Sequence, residues 1–194
     1  FRDKIESLRK SFPAGAPRVN YKIKARKLEL LWHVFKKKVK KDPVHFKRFQ
    51  EANRFWLRDY ACFKVIKEQR GQKSWEGWEG ELRQRDAQAI RRFERDHQER
   101  LRFHEWLQWQ LFSQLKAAKR YARAKKVFLM GDLPFLTSRD SADVWSHQSY
   151  FKLDLSSGAP PADYFANGQR WGTPPYHWRN MASQSYDYLI ERLR

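Results

Sequence analysis

An α/β protein whose first part is largely helical is the fold class this sequence predicts, on three observations. Residues 1–126 repeat apolar side chains at three- and four-residue spacing, the mark of amphipathic helices. A helical pattern ending at Lys125-Lys126 passes straight into the apolar run Val127-Phe-Leu-Met-Gly-Asp-Leu-Pro134, which reads as a short buried strand entering an acidic loop. Beyond it, Pro134, Gly158, Pro160, Pro161, Gly168, Gly172, Pro174 and Pro175 break residues 132–180 too often for long regular elements. In β/α proteins such a strand–loop junction is where ligands bind, because loops at the carboxyl ends of parallel strands share one crevice. Asp132 stands at its mouth.

Taken in order, Tyr21, Ala25, Leu28, Trp32 and Phe35 form the stripe of a first amphipathic helix, with Lys36-Lys37-Lys38 on its polar face and Asp42-Pro43 closing it. Phe46 and Phe49 begin another short apolar face. A further helix carries Phe55, Trp56, Tyr60, Phe63 and Lys67 and ends near Gly71; residues 72–80 form a loop holding Trp75 and Trp78. Residues 82–100 read as a charged helix. The strongest helix follows, with Phe103, Leu107, Leu111, Leu115 and Ala118 on one stripe. A helix, a two-residue junction, a strand at 127–131 and an acidic loop make one α/β unit. Residues 1–102 are thus expected to be a mostly helical region. Residues 103–194 are expected to hold helix, strand, long substrate loop (132–180) and a closing helix (181–194).

The chain has 194 residues, enough for one good core. With a mean hydropathy of −0.93 and 32% charged residues, no segment approaches a membrane span. The opening Phe1-Arg-Asp-Lys has neither an initiator Met nor the apolar core of a secretory signal. A single cysteine, Cys62, excludes an internal disulfide and fits a reducing, cytoplasmic setting, or a plastid in a plant or alga. As a nucleophile Cys62 competes with the plainer role of a small buried hydrophobe. The net charge is +19, yet between residues 127 and 194 seven acidic side chains outnumber six basic ones. The whole excess lies in residues 1–126, where it is either a face for polyanions or a solvated exterior.

Through residues 132–180 run the rings Tyr150, Phe151, Tyr164, Phe165, Trp171, Tyr176 and Trp178. They either pack on one another to hold the loop or offer flat faces beside Asp132, Asp163 and Gln169. The second arrangement suits sugars, which have apolar C–H faces and hydroxyl edges that need partners. The six histidines are scattered, with no metal-spaced His/Cys cluster and no glycine-rich phosphate loop, so no cofactor is expected.

Several motifs in register carry a resemblance. Gly131-Asp-Leu-Pro134, Asp140-Ser-Ala-Asp-Val-Trp145, and Asp163-Tyr-Phe165 followed by Gly168-Gln-Arg-Trp-Gly172 resemble the amylomaltase family of 4-α-glucanotransferases, glycoside hydrolase family 77. So do Trp56-Leu-Arg-Asp-Tyr-Ala61, Arg18-Val-Asn-Tyr21 with Lys27, and Tyr186 with Ile190-Glu-Arg-Leu-Arg194. The resemblance implies part of a (β/α)8 TIM barrel of the α-amylase type carrying a mostly α-helical inserted region. It implies transfer of α-1,4-glucan segments to a glucan or glucose acceptor, by retaining double displacement between two carboxyl groups. The partners it implies are α-1,4-glucans such as maltooligosaccharides, amylose and glycogen, with no membrane and no nucleic acid.

Residue by residue, the resemblance makes Asp132 the aspartate ending a barrel strand, against the alternative of a loop-capping carboxylate. Tyr164 and Phe165 match an aromatic pair over the acceptor side. Asp163, Gln169 and Trp171 match neighbouring positions that orient glucan hydroxyls or brace the loop. Asp140 and Asp143 are expected to structure the loop by accepting backbone N–H groups. The family's Arg-x-Asp-His nucleophile motif is not in the sequence. The nucleophilic aspartate and the acid/base glutamate are therefore expected beyond Arg194, the chain to be an internal fragment, and residues 1–194 alone to be inert toward maltotriose and poorly soluble.

The sequence departs from the family at Gly158-Ala-Pro-Pro-Ala-Asp163, which is shorter and includes Ala162, and at Gly172-Thr-Pro174. Three other readings stand beside the transferase: a nonenzymatic glucan-binding relic, a basic helical module for RNA or another polyanion, and a hydrolase of the wider α-amylase group.

Overall fold

The computed structural model describes residues 1–15, 17–39 and 43–193. Its contacts group them into two units, Phe1–Arg48 and Phe49–Arg194. A division at residue 102 would fall inside one continuous helix, Gln98–Ala124.

In the first unit, α1 (Arg2–Ser11) packs on α2 (Lys22–Lys38). The spacing of Leu28, Trp32 and Phe35 predicts α2, whereas α1 has no counterpart in the sequence reading. Within α2, Trp32 stacks on Phe35 at 5.8 Å and Lys36 lies over the Trp32 ring. The helix ends at Val39, whose N–H returns to the Phe35 carbonyl (2.8 Å). Asp42, expected to close it, lies outside the described residues. The next helix, α3 (Val44–Ala52), runs across the division between the units and buries Phe46.

The second unit is built on α4 (Arg54–Gln69), which buries Leu57, Ala61, Cys62, Phe63, Val65 and Ile66. Ala61, Cys62 and Phe63 are consecutive, so burial wraps well round this helix, beyond the single stripe of a surface helix. The following loop is a built turn. Trp75–Gly77 is a single 3-10 turn, and Trp75 and Trp78 are both buried.

The helix expected over residues 82–100 is instead three pieces. After α5 (Gly80–Arg83), Arg85 takes a left-handed backbone (φ 60°), and Asp86 then caps α6 (Ala87–Asp96) by accepting from the N–H groups of Gln88 and Ala89 at 2.9 and 2.8 Å. A capping aspartate satisfies donors that a continuous helix would have used. At His97 the chain turns again and enters α7 (Gln98–Ala124).

Pairing of α4 with α7 forms the frame of this unit. It buries Leu101, Phe103 and Trp106 of α7 together with His104 and Glu105, whose polar atoms are met by partners from α3 and α4. Glu68 accepts from Arg100 Nε (2.8 Å) and His104 Nε2 (3.0 Å). Arg58 donates to Glu94 (2.9 Å) and Glu105 (3.2 Å), and Gln50 donates to Glu105 (2.6 Å). Only the first half of α7 is covered. From Leu111 onward its stripe is exposed, with Leu111 55% and Leu115 62% accessible.

The strand expected at 127–131 is corrected. α7 closes with Lys126 left-handed (φ 58°) and the Val127 N–H on the Ala122 carbonyl (2.9 Å), the geometry of a Schellman ending. The residues after it join no sheet, and Phe128 and Met130 stand 80% and 98% exposed. A strand exists only where a neighbour accepts its ladder hydrogen bonds, and none of the described residues supplies that neighbour.

The long loop is likewise more ordered than expected. It contains α8 (Ala142–Ser146), capped by Ser141 Oγ on the Val144 N–H (3.2 Å), and the two-stranded sheet β1 (Gly158–Ala159) with β2 (Gln169–Arg170). The closing helix is two helices, α9 (Trp178–Ser183) and α10 (Asp187–Leu193), parted by left-handed Ser185 and Tyr186. Among the described residues, no helix is long and apolar enough to cross a membrane.

Trp145 sits at the centre of this core, fully buried. Its Nε1 donates to the Leu82 carbonyl (3.0 Å), Phe63 and Trp78 flank it at 5.9 and 5.5 Å, and the Arg85 guanidinium lies 4.4 Å from its ring. Trp145→Ala is expected to cost about 3–5 kcal/mol, read as a lowered urea midpoint.

A second prediction concerns acid. Burial alone would raise the Glu68 carboxyl, but the bonds from His104 and Arg100 outweigh it and bring the group from 4.5 to about 2. A depressed carboxylate stabilises the fold above its unfolded value, and that stability is lost as the pH falls through the folded one. Urea midpoints should therefore fall between pH 4.5 and about 2, and Glu68→Gln should flatten that part of the profile.

Candidate functional site: an aromatic arm and the acidic segment at its base

Residues 151–177 form an antiparallel arm. It is zipped at the base by the Phe151–Tyr176 bridge, with Lys152 N–H on the Pro175 carbonyl (2.9 Å) and His177 N–H on the Tyr150 carbonyl (2.8 Å). Further out, Ser157 donates to Thr173 (2.7 Å) and Trp171 to Ser157 (2.9 Å), and Gly158 pairs with Arg170 in the β1–β2 register. The ladder is possible because two residues lack side chains. A Cβ on Gly158 would lie 2.1 Å from the Gln169 carbonyl oxygen. At Gly168 (φ 70°), one would lie 2.6 Å from that of Ala159. Neither position accepts an L side chain without moving backbone.

The tip is a tight turn in which Ala162 and Phe165 exchange backbone hydrogen bonds (3.2 and 2.8 Å) around Asp163 and Tyr164. Ala162, which departs from the family pattern, is thus a pairing residue of that turn. Tyr164 is 92% exposed and Phe165 52%. On the outer strand Trp171 Nε1 donates to Gln169 Oε1 (2.9 Å), which fixes the indole against the amide. Five of the predicted site residues, Asp163, Tyr164, Phe165, Gln169 and Trp171, therefore share the arm. Rings with bare faces stand there beside a carboxylate and an amide, a set able to stack on a sugar face and pair its hydroxyls.

Asp132 lies apart, exposed on the segment that follows α7, and no hydrogen bond among the described residues joins it to the arm. The stretch just after it is held firmly. Tyr176 OH donates to the Phe135 carbonyl (2.5 Å), and the Phe135 ring meets Tyr176 edge-on at 5.4 Å. Arg192 of α10 spreads its guanidinium over the same place, with Nη2 on the Pro134 carbonyl (2.9 Å) and Nη1 on Thr137 Oγ1 (3.1 Å), Tyr188 OH (3.1 Å) and Tyr176 OH (3.3 Å). Burial, and then the Asp143 charge, push Tyr188 up to about 12, so it stays a neutral phenol beside that cation. Arg192 thus ties the arm's base to the Asp132 stretch. Nothing local marks it in the sequence; it stands out only through the closing motif.

The two loop aspartates differ. Asp140 accepts from Lys67 Nζ and from the Trp75 N–H (3.4 Å), pinning the start of α8 to α4 and the tryptophan turn. Asp143 lies in the first turn of α8 and faces a cavity with Tyr188 and Arg192, while the cap itself is Ser141. Cys62 is fully buried, and burial pushes its thiol up to about 12, which leaves it a packing residue. Among the described residues, no group of three or more His, Cys, Asp or Glu side chains is placed to hold a metal ion.

Comparison with known proteins shows the family. The family model described as 4-alpha-glucanotransferase matches residues 1–194, so the chain belongs to the 4-alpha-glucanotransferase family. It is 36% identical over 194 residues to the 4-alpha-glucanotransferase of Thermus thermophilus, covering 94% of this chain and 38% of that protein. Against the enzyme of Aquifex aeolicus it is 34% identical over 177 residues, covering 85% of this chain and 36% of the relative. Among solved structures it is similar to an amylomaltase from Streptococcus agalactiae in complex with acarbose. The TM-score is 0.82 at 25% identity, over 97% of this chain and 41% of that one. The chain spans well under half the length of these relatives.

The Arg192 clamp is testable by itself. Arg192→Ala removes four hydrogen bonds, and charge-assisted bonds are worth about 1.5–3 kcal/mol each when a partner is left unpaired. Chymotryptic cleavage after Phe135 or Leu136 should accelerate about tenfold or more, while amide exchange in α4 and the first half of α7 stays slow.

Proposed function

We propose that this chain supplies the glucan-holding part of a 4-α-glucanotransferase, a retaining enzyme that moves α-1,4-glucan segments to a glucan or glucose acceptor. The observation that carries the reading is the arm: a backbone-paired ribbon that holds Tyr164 bare and Phe165 half-exposed at its tip, with Asp163, Gln169 and Trp171 beside them. Family membership and the likeness to an amylomaltase in complex with acarbose support it.

In this reading Tyr164 and Phe165 seat the acceptor sugar, Asp163 and Gln169 pair its hydroxyls, and Trp171 braces the strand. Asp132 shapes the adjoining donor side. The nucleophile and the acid/base carboxyl of the double displacement are not assigned among these residues. Transfer requires a sugar hydroxyl to outcompete water at the second step, and an aromatic arm that covers the acceptor favours that outcome.

The same reading accounts for the exposed run 127–131. We take it as a strand of a (β/α)8 barrel whose neighbouring strands belong to the rest of the longer protein. An apolar strand buried on both faces is the usual state of a parallel barrel, and Phe128 and Met130 have the apolar character this needs.

In an enzyme of the relatives' length, Tyr164→Ala is expected to raise the acceptor KM about tenfold (about 1.4 kcal/mol) and to shift products of maltotriose from transfer toward hydrolysis. Product chains resolved by chromatography read both. Wild-type acceptor KM and product ratio in Tyr164→Ala and in Phe165→Ala would sink the proposal.

A further inference from the structure

Net charge is the feature that the glucan reading leaves unexplained. Residues 1–48 carry sixteen lysines and arginines against four acidic side chains, so about a quarter of the chain holds twelve of its nineteen net positive charges. Those residues are the first unit. Charge that serves solubility alone has no reason to gather in one unit, and a basic surface of this density is the electrostatic footprint of an anionic partner.

The unit also has a place for that partner. One groove, of about 490 Å³, runs between α1 and α2 and is lined by Lys4, Leu8, Phe12, Lys22 and Arg26 among others. A second, of about 410 Å³, is lined by Arg18 and Ile23 and adjoins the first at Ser11 and Phe12. Ligand pockets run to about 300–1,000 Å³, so each has room for a nucleotide.

The cations there are available. Lys4, Arg18 and Lys22 are exposed and form no ion pair with any described residue. Glu29 is the one carboxylate lining either groove, and Arg26 meets it (3.3 Å) in an exposed pair that a phosphate can displace. Lys22 and Arg26 are like charges on neighbouring turns of α2, which costs stability unless an anion joins them. Ring faces stand beside these cations. Phe12 lies half-buried where the grooves meet, and Tyr21, between Asn20 of one groove and Lys22 of the other, is 82% exposed.

A basic groove flanked by rings is how proteins hold single-stranded nucleic acid, with cations following the phosphates and bases stacking on aromatic faces. An anionic membrane would call for a bare apolar face, whereas α2 keeps Leu28, Trp32 and Phe35 covered or half-covered. We propose that the first unit is a docking surface for a single-stranded polynucleotide, with phosphates on Lys4, Arg18, Lys22 and Arg26 and bases on Phe12 and Tyr21. The family resemblance implies no such partner, and the surface is independent of the glucan reading, whose residues all lie in the second unit.

The test is fluorescence anisotropy of a labelled oligouridylate of about twelve nucleotides, a length such grooves hold, with the 194-residue chain. Four cations on four phosphates predict a log–log salt slope of about −3, a loss of about fiftyfold in affinity between about 50 and 200 mM salt. Lys4→Gln/Lys22→Gln should weaken binding about tenfold or more and flatten the slope to about −1.4. Tyr21→Ala should weaken it about tenfold with the slope unchanged. Lys116→Gln/Lys119→Gln, which removes the same charge from exposed positions of α7, should leave binding as it was. All five side chains are exposed, and thermal melting by circular dichroism verifies that the variants fold. Oligodeoxythymidylate of the same length, run in parallel, tells whether RNA or single-stranded DNA is preferred, and binding of either meets the expectation. No binding at about 50 mM salt overturns the proposal, as does an equal loss in the two lysine pairs, or tighter binding of polyglutamate or of anionic phospholipid vesicles than of the oligonucleotide.

Discussion

The burial of Trp145 is the constraint on which the second unit rests. The loop that carries the acidic motif has little apolar content of its own, and residues 132–141 contain no helix or strand. One indole inserted between Phe63 of α4, Trp78 of the tryptophan turn and the Leu82 carbonyl converts that loop into part of the core. Burial of a ring of this size stabilises by several kilocalories, and its single polar atom is satisfied. The neighbouring bonds then follow. With Trp145 in place, Ser141 caps α8, Asp140 meets Lys67 and the Trp75 N–H, and Trp75 Nε1 reaches the Arg139 carbonyl (2.8 Å).

From that anchor the packing continues to the root of the arm and stops short of its tip. Phe151, Tyr176 and Tyr188 pack together at 5.3–5.9 Å, so the arm's root belongs to the same core as Trp145. The outer ribbon is held by backbone ladders and two glycines. Past them, Tyr164 and Phe165 have no packing role to explain their size. Large rings exposed on a backbone-paired support are costly to leave in water and are read most economically as contact surfaces.

The elements with a strong apolar period were legible in the sequence. α2, α4 and α7 lie where their stripes predict them, and residues 127–131 follow α7 across the two-residue junction Lys125-Lys126, as read. The errors lie where local chemistry overrode the period. Asp86 and the left-handed Arg85 broke the charged helix, and left-handed Ser185 and Tyr186 split the closing one; a non-glycine in that conformation leaves no compositional signal. The strand expected at 127–131 fails to appear for another reason, because pairing depends on a neighbour and no residue of a strand encodes it alone. The arm was hidden by its own prolines and glycines. Gly158 and Gly168, read as breakers, are the residues that let two backbones approach closely enough to pair.

The candidate site divides along the same line. Side-chain identity pointed to Asp163, Tyr164, Phe165, Gln169 and Trp171, and the structure gathers them on one ribbon. It could not point to Arg192, whose importance lies in four acceptors contributed by residues 134, 137, 176 and 188. This clamp explains how a segment as exposed as the one bearing Asp132 acquires a defined course. Its own side chains bury little, but the carbonyls of Pro134 and Phe135 are each held by a donor from the core. Fixed backbone beside a carboxylate matters for a binding site, since a ligand that had to order the segment itself would lose affinity to the ordering entropy. On the proposed reading, then, the acceptor side is preorganised by an arm and the acidic side by a clamp, and Tyr176, which packs in the first and bonds in the second, makes them one device.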